Sequence, residues 1–212
     1  MEPPADEIEL LRRAHALAGR PLLVAVCGGH KGAVGHAVER ALGLSPSGSP
    51  DVDIPTLGIE VKTLPFVLTA SRGRITESTW VCSAPPESLA EERWDTSRVK
   101  RKLARVLFVP VEDAAVAVAE RRVGRAFLWS PSPTEEEVLR RDWEDLSDLV
   151  AQGLGFAVTA RRGQALQLRP KAKNAQVRRQ SRVVGDDASI LPQGFYLRRS
   201  FTQALLEAVF GR

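Results

Sequence analysis

The sequence predicts an α/β protein, and three observations carry that class. Leu57, Ile59 and Val61 alternate with Gly58, Glu60 and Lys62, the period of two that marks a half-buried strand. Ala5–Ala18 and the stretch from Thr134 to about Ala151 repeat apolar residues at helical spacing, each with acids in its first turn. Thr76–Ala84 and Arg105–Val111 read as further strands. A chain of 212 residues, 43% hydrophobic and 26% charged, suits one soluble globular protein, or one domain in two lobes.

The first helix places Ile8, Leu11 and either Ala14 or His15 on one face and is stopped by Gly19 and Pro21. An apolar run, Leu22–Cys27, leads into Gly28-Gly29-His30-Lys31-Gly32. That cluster lacks the Gly-Lys-Ser/Thr ending of a phosphate loop and reads as a turn before a helix. The second helix runs from Lys31 to Leu42 with Val34, Val38, Ala41 and Leu42 on its apolar face. Glu39 sits beside that face. It gains meaning only if this helix packs on the strand that carries Glu60. Ser45–Pro50 is a loop.

After the strand at 57–62, residues 70–77 form a hairpin tip around Gly73, and Thr76–Ala84 returns as a strand ended by Pro85-Pro86. Thr96 or Ser97 caps a short helix through Leu103. Thr134 caps the acidic-fronted helix that Gly153 and Gly155 end. Strand signals recur near 157–161 and 166–169, joined through Gly163, and again at Phe195–Arg199. Thr202–Phe210 closes as a helix.

The densest chemistry lies in Asp53-Ile54-Pro55-Thr56-Leu57-Gly58-Ile59-Glu60-Val61-Lys62. On a strand, Glu60 and Lys62 point to one face, one pleat apart. Pro55 and Gly58 let the chain bend so that Asp53 lies beside Glu60. Two carboxylates with one ammonium make a hard-cation site with a charged neighbour. The same spacing describes an ordinary surface pair worth about 0–1 kcal/mol, and spacing alone favours that blander reading.

Charge is unevenly placed. The net is +4, yet Arg161–Arg212 carries 11 basic against 3 acidic residues. A basic C-terminal quarter on a near-neutral body points to a polyanion-binding face. Arg98, Lys100, Arg101, Lys102 and Arg105 add a basic run that reads either as a solvated helix face or as a phosphate contact. Cys27 and Cys82 form no CxxC, and His15, His30 and His36 lack zinc-finger spacing, so two buried reduced thiols are expected. No run of eighteen apolar residues exists, and the acidic N-terminus lacks a signal pattern, so a cytoplasmic protein with no membrane span is expected.

The ordered motifs resemble the MutH family of DNA mismatch-repair endonucleases. Asp-x6-Glu-x-Lys extended by Thr63-Leu64-Pro65 matches that family's catalytic signature. The match continues in Thr96-Ser97-Arg98-Val99-Lys100-Arg101-Lys102-Leu103, in Val109-Pro110-Val111-Glu112, and in Arg121-Arg122-Val123-Gly124 with Leu128-Trp129-Ser130-Pro131. It ends in Arg169-Pro170-Lys171-Ala172, Leu191-Pro192-Gln193-Gly194-Phe195-Tyr196-Leu197 and Phe201-Thr202. The single motif is weak; the ordered set is highly specific.

The resemblance implies a restriction-endonuclease-like fold, a mixed sheet flanked by helices, with two subdomains forming a DNA cleft. The whole chain, 1–212, is then one endonuclease domain, with a catalytic lobe to about residue 110 and a DNA-reading lobe beyond it. It implies Mg²⁺-dependent nicking of the unmethylated strand at GATC in double-stranded DNA, activated by MutL after MutS finds a mismatch; one such site in 212 residues points to a monomer. Asp53, Glu60 and Lys62 fall on the catalytic triad, Asp53 and Glu60 as metal ligands, with Glu39 completing the acidic site and Lys102 as a further active-site lysine. Arg169 and Tyr196 fall on positions that read adenine and its methylation, and Lys171 among the DNA contacts. One departure stands out: Gly28–Gly35 is shorter than the family's usual loop, which affects the loop's DNA contacts and not the chemistry. Two rivals are a type II restriction endonuclease cutting GATC and a non-catalytic DNA-binding module.

Overall fold

The computed structural model describes residues 2–23, 32–46, 49–69, 73–152, 154, 162–170, 179–180, 189–190 and 192–211. Along the chain the elements are α1 (Glu7–Leu17), α2 (Ala33–Ala41), β1 (Glu60–Leu68), β2 (Gly73–Ile75), β3 (Thr79–Ser83) and α3 (Pro86–Leu89). Then come α4 (Arg98–Leu103), β4 (Val106–Glu112), β5 (Phe127–Trp129) and α5 (Pro133–Ala151). The chain ends with β6 (Leu166–Pro170), β7 (Arg179–Gln180), β8 (Ser189–Ile190), β9 (Gln193–Leu197) and α6 (Arg199–Phe210). No helix among the described residues is long and apolar enough to cross a membrane.

The chain forms two compact units. Met1–Glu77, Lys102–Ser130 and Thr202–Arg212 make the first; Ser78–Arg101 and Pro131–Phe201 make the second. The first unit holds a mixed sheet in the order β2-β1-β4-β5. Its centre is the parallel pair β1 and β4, in register from Glu60 opposite Val106 to Phe66 opposite Glu112. Val106–Val111 is buried throughout, as expected for a central strand covered on both faces. Leu10 and Ala14 of α1, Ala37 and Val38 of α2, and Val61, Val109 and Val111 of the sheet share one apolar core. Each buried Leu or Val among them contributes about 1.5–3 kcal/mol by leaving water. The expected α/β class and mixed sheet flanked by helices are what the chain adopts.

The outer strand β2 would leave unpaired backbone groups at the sheet edge. Gln203 of α6 takes them up: its Oε1 accepts from Ile75 N at 2.8 Å and its Nε2 donates to Gly73 O at 3.2 Å. The second unit is built on an antiparallel sheet, β3-β9-β6, with α5 packed against β6 and α3 against α5; β7 and β8 pair separately.

Several boundaries differ from the sequence expectations, each for a local reason. The core strand begins at Glu60, not Leu57, because residues 55–58 form a turn closed by the Ile54–Ile59 bridge, with Gly58 at φ 66°. That backbone region suits glycine. The return arm of the hairpin is β2; β3 leaves for the other sheet, where it pairs with β9. Ile8 is 79% exposed, and Leu10 and Ala14 carry the buried stripe of α1 instead. Helix α5 is capped by Ser132, not Thr134, through a reciprocal capping box with Glu135. Pro86 opens a short helix as well as ending a strand. Arg199, expected to end a strand, starts α6. The strand expected at 157–161 lies outside the described residues.

Candidate active site

Strand β1 begins with Glu60 and Lys62, and its parallel pairing with β4 holds their backbone in place. Glu60 is buried to 2% exposure. A buried carboxylate needs partners, and two lysines provide them. Lys62 Nζ donates to Glu60 Oε1 at 2.5 Å. Lys102 Nζ, at the end of α4, donates to both Glu60 oxygens at 3.0 and 2.9 Å and to the Asp51 carbonyl at 2.8 Å. Asp53 enters from the turn before the strand. Its Oδ2 accepts from Val61 N at 2.9 Å, which ties the acid to the strand. Helix α2 packs against β1, the condition set above for Glu39, and Glu39 feels the charges of Asp53, Lys62, Glu60 and Lys102. The first unit therefore brings together all five residues expected to do the cutting.

Burial, then the Asp53 charge, push the Glu39 carboxyl up to about 7. Asp53 is raised as well, first by burial and then by Glu60, with the Val61 N–H working against the rise. A carboxyl raised in the folded state binds more protons than in the unfolded chain. Stability therefore falls as pH climbs from the ordinary glutamate range through about 7. In metal-free protein, Glu39→Gln is expected to be about as stable as wild type at pH 4.5 and more stable by about 1–2 kcal/mol at pH 8, after discounting for solvent screening. Thermal melts across that range check this; a constant difference between the two proteins would reject it.

In the second unit, the Arg169 guanidinium lies over the Tyr196 ring, 5.7 Å from its centroid. Trp80 meets the same ring edge-on at 5.1 Å. Gly194 is required there, because a Cβ would stand 2.1 Å from the Trp80 ring. Lys171 lies outside the described residues. The start of β6, and with it the line that leads to Arg169, is set by Asp142 of α5. Its buried carboxylate accepts from Gln164, Ala165 and Leu166 N–H at 2.6–2.9 Å, across the turn where Gly163 takes φ 85°. Asp142→Ala strands three backbone donors and is expected to cost about 3 kcal/mol, with Asp142→Asn intermediate. Denaturant unfolding checks the order; an unchanged midpoint for the alanine variant would refute it.

The chain was compared with known proteins. A family model described as DNA mismatch repair enzyme MutH matches residues 42–142. The DNA mismatch repair protein MutH of Salmonella paratyphi B is 44% identical over 222 aligned residues, covering 99% of this chain and 95% of its own length. That of Yersinia enterocolitica is 43% identical and covers 98% and 95%. The chain belongs to the MutH family. The matched segment of the MutH model holds Asp53, Glu60, Lys62, Lys102 and Asp142.

The donor set of this MutH-family chain fits a hard divalent cation. Oxygen ligands suit Mg²⁺, burial and then the neighbouring carboxylate charge raise Glu39 and Asp53, and Asp53 Oδ1 has no hydrogen bond among the described residues. Among the described residues no group of three or more His, Cys, Asp or Glu side chains is drawn together as a metal cage. Asp53 and Glu60 could hold such an ion only in a site completed by phosphate and water.

Sequence reasoning missed three groups beside the candidate residues of this MutH-family chain. The Asp51 carbonyl and the Val61 N–H carry no side-chain signal at all. Trp80, by contrast, could have been found as an aromatic facing the only tyrosine once the β3–β9 pairing was known. The basic run of α4 also changes meaning. Lys100 pairs with Asp95 and Glu136, Lys102 with Glu60, and Arg105 with Glu7. Three of its five cations are committed to internal carboxylates.

Proposed function

We propose that this MutH-family endonuclease nicks the unmethylated strand of double-stranded DNA at GATC, with Mg²⁺, in methyl-directed mismatch repair. The observation that carries the reading is the cluster of Glu39, Asp53 and Glu60 with Lys62 and Lys102 on a rigid strand pair. Family membership supports the repair setting, activation by MutL downstream of MutS, and a cytoplasmic site of action. Among the described residues there is one such cluster, which supports a monomer that cuts one strand.

Asp53 and Glu60 would hold the ion. Bound there, Mg²⁺ would neutralise charge on the scissile phosphate and lower the pKa of water. Lys62, next to Glu60, orients the attacking water or stabilises the charge that develops on the phosphate in the transition state. Glu39, half-protonated near pH 7 in the metal-free cluster, can take a proton from that water. Lys102 holds Glu60 and the Asp51 loop in place. Arg169 and Tyr196 are the proposed readers of the base and its methyl group, and Lys171 a backbone contact. The close pair supports that role, because a guanidinium held over a ring offers its donors from a fixed position.

The test is nicking of unmethylated, hemimethylated and fully methylated GATC duplexes with Mg²⁺, with and without MutL. Nicks in either strand of the first, in only the unmethylated strand of the second, and resistance of the third are expected. Equal cutting of all three, or linear product from a hemimethylated single-site plasmid, would reject the reading.

A further inference from the structure

We propose that a cavity in the second unit, between the Trp94 turn and helix α5, is a docking pocket for an arginine-bearing segment of a partner protein. The cavity measures about 340 Å³ and shares no residue with the candidate active site. Its wall carries four carboxylates, Glu92, Asp95, Glu144 and Asp148, against two guanidiniums, on a protein whose net charge is +4. Asp95 is bonded to Lys100, and Glu144 to Arg140. Arg140 is also held by Glu137, so its charge is already neutralised. Glu92 and Asp148 make no ion pair among the described residues. A wall with this balance repels phosphate and favours a cation.

The floor is aromatic. Trp94 and Trp143 lie with ring centroids 6.0 Å apart and planes tilted by 55°. Trp94 already hosts one cation, with Lys100 Nζ 5.9 Å from its ring centroid. An arginine suits such a floor better than a lysine, because its planar, weakly hydrated guanidinium stacks on indole and meets carboxylates through paired N–H groups. Lys100 first, and Trp94 to a smaller degree, hold the Glu136 carboxyl below its ordinary range. Trp143 Nε1 and Ser147 Oγ, by contrast, are buried with no hydrogen-bond partner, and both residues are only 4% exposed. Unpaired buried donors of this kind cost about 1–3 kcal/mol each, a cost that a carbonyl acceptor would relieve. A cation joined to a carbonyl is a peptide segment rather than a free guanidinium or a metal ion.

The experiment follows the Trp143 indole N–H resonance of the full-length protein, assigned with Trp143→Phe. The titrant is an acetylated, amidated Gly-Arg-Gly peptide, or its citrulline counterpart of the same shape without charge. A saturable shift is expected with the arginine peptide. Binding is expected to weaken about tenfold or more for citrulline and for the Glu92→Gln/Asp148→Asn double variant, and severalfold for Ser147→Ala. Nicking by the double variant without a partner is expected to match wild type. No shift at millimolar arginine peptide, equal binding of citrulline, or displacement of the peptide by a short DNA duplex would overturn the proposal. So would a loss of partner-free nicking in the double variant.

Discussion

Lys62→Ala is expected to slow nicking of a GATC duplex by about 10²–10³-fold, while DNA affinity and thermal stability stay close to wild type. The asymmetry follows from how Glu60 is held. Lys62 contributes one contact to Oε1, whereas Lys102 reaches both oxygens and the Asp51 carbonyl. Removing Lys62 therefore leaves the buried carboxylate paired. What is lost is the ammonium beside the place where charge develops, which matters mainly in the transition state. Lys62→Arg is not expected to restore the rate, because a planar fork cannot occupy the position of a compact point charge against a strand residue whose side chain is 11% exposed. Single-turnover nicking and an equilibrium binding assay separate the two effects. Wild-type nicking by Lys62→Ala would sink the assignment, and a parallel loss of binding and rate would recast Lys62 as a DNA contact.

Residues 53–62 were legible because the chemistry is local: the acid, the bend and the Glu-x-Lys all lie within ten positions. Even there the period of two ran on too far. Leu57 continues the apolar alternation, yet Gly58 at φ 66° and the Ile54–Ile59 bridge turn the chain before the ladder begins. Alternation records which side chains are apolar, not where backbone pairing starts. The contact between Lys102 and Glu60 spans 42 residues. No periodicity carries it: it exists because α4 feeds directly into β4, which lies parallel to β1 with Glu60 opposite Val106. Family resemblance supplied Lys102 as a name, and only the register explains why that lysine, and not Lys100 two residues earlier, reaches the acid. Lys100 turns to Asp95 and Glu136 instead. The basic run illustrates the same limit: formal charge is visible in sequence, but whether a cation is free depends on carboxylates brought in from distant helices.

Lys102→Met is expected to be the most destabilising change at the site. It removes three hydrogen bonds from a largely buried position, and Glu60, at 2% exposure, keeps only Lys62. Breaking a buried pair in this way costs about 3–5 kcal/mol, which for a protein of this size lowers the melting temperature by roughly 6–20 °C. The penalty comes from the carboxylate left behind, so neutralising it should return much of the loss. Lys102→Met/Glu60→Gln is expected to melt well above Lys102→Met alone, yet to remain inactive, because Glu60 is also a proposed ligand. Mg²⁺ should discriminate further. A divalent cation beside Glu60 replaces some of the missing positive charge, so it is expected to raise the melting temperature of Lys102→Met more than that of wild type, and to leave the double variant unmoved. If Glu60→Gln fails to rescue, Lys102 stabilises through its hold on the Asp51 carbonyl rather than through charge. If Mg²⁺ shifts all three proteins equally, the ion does not sit at Glu60.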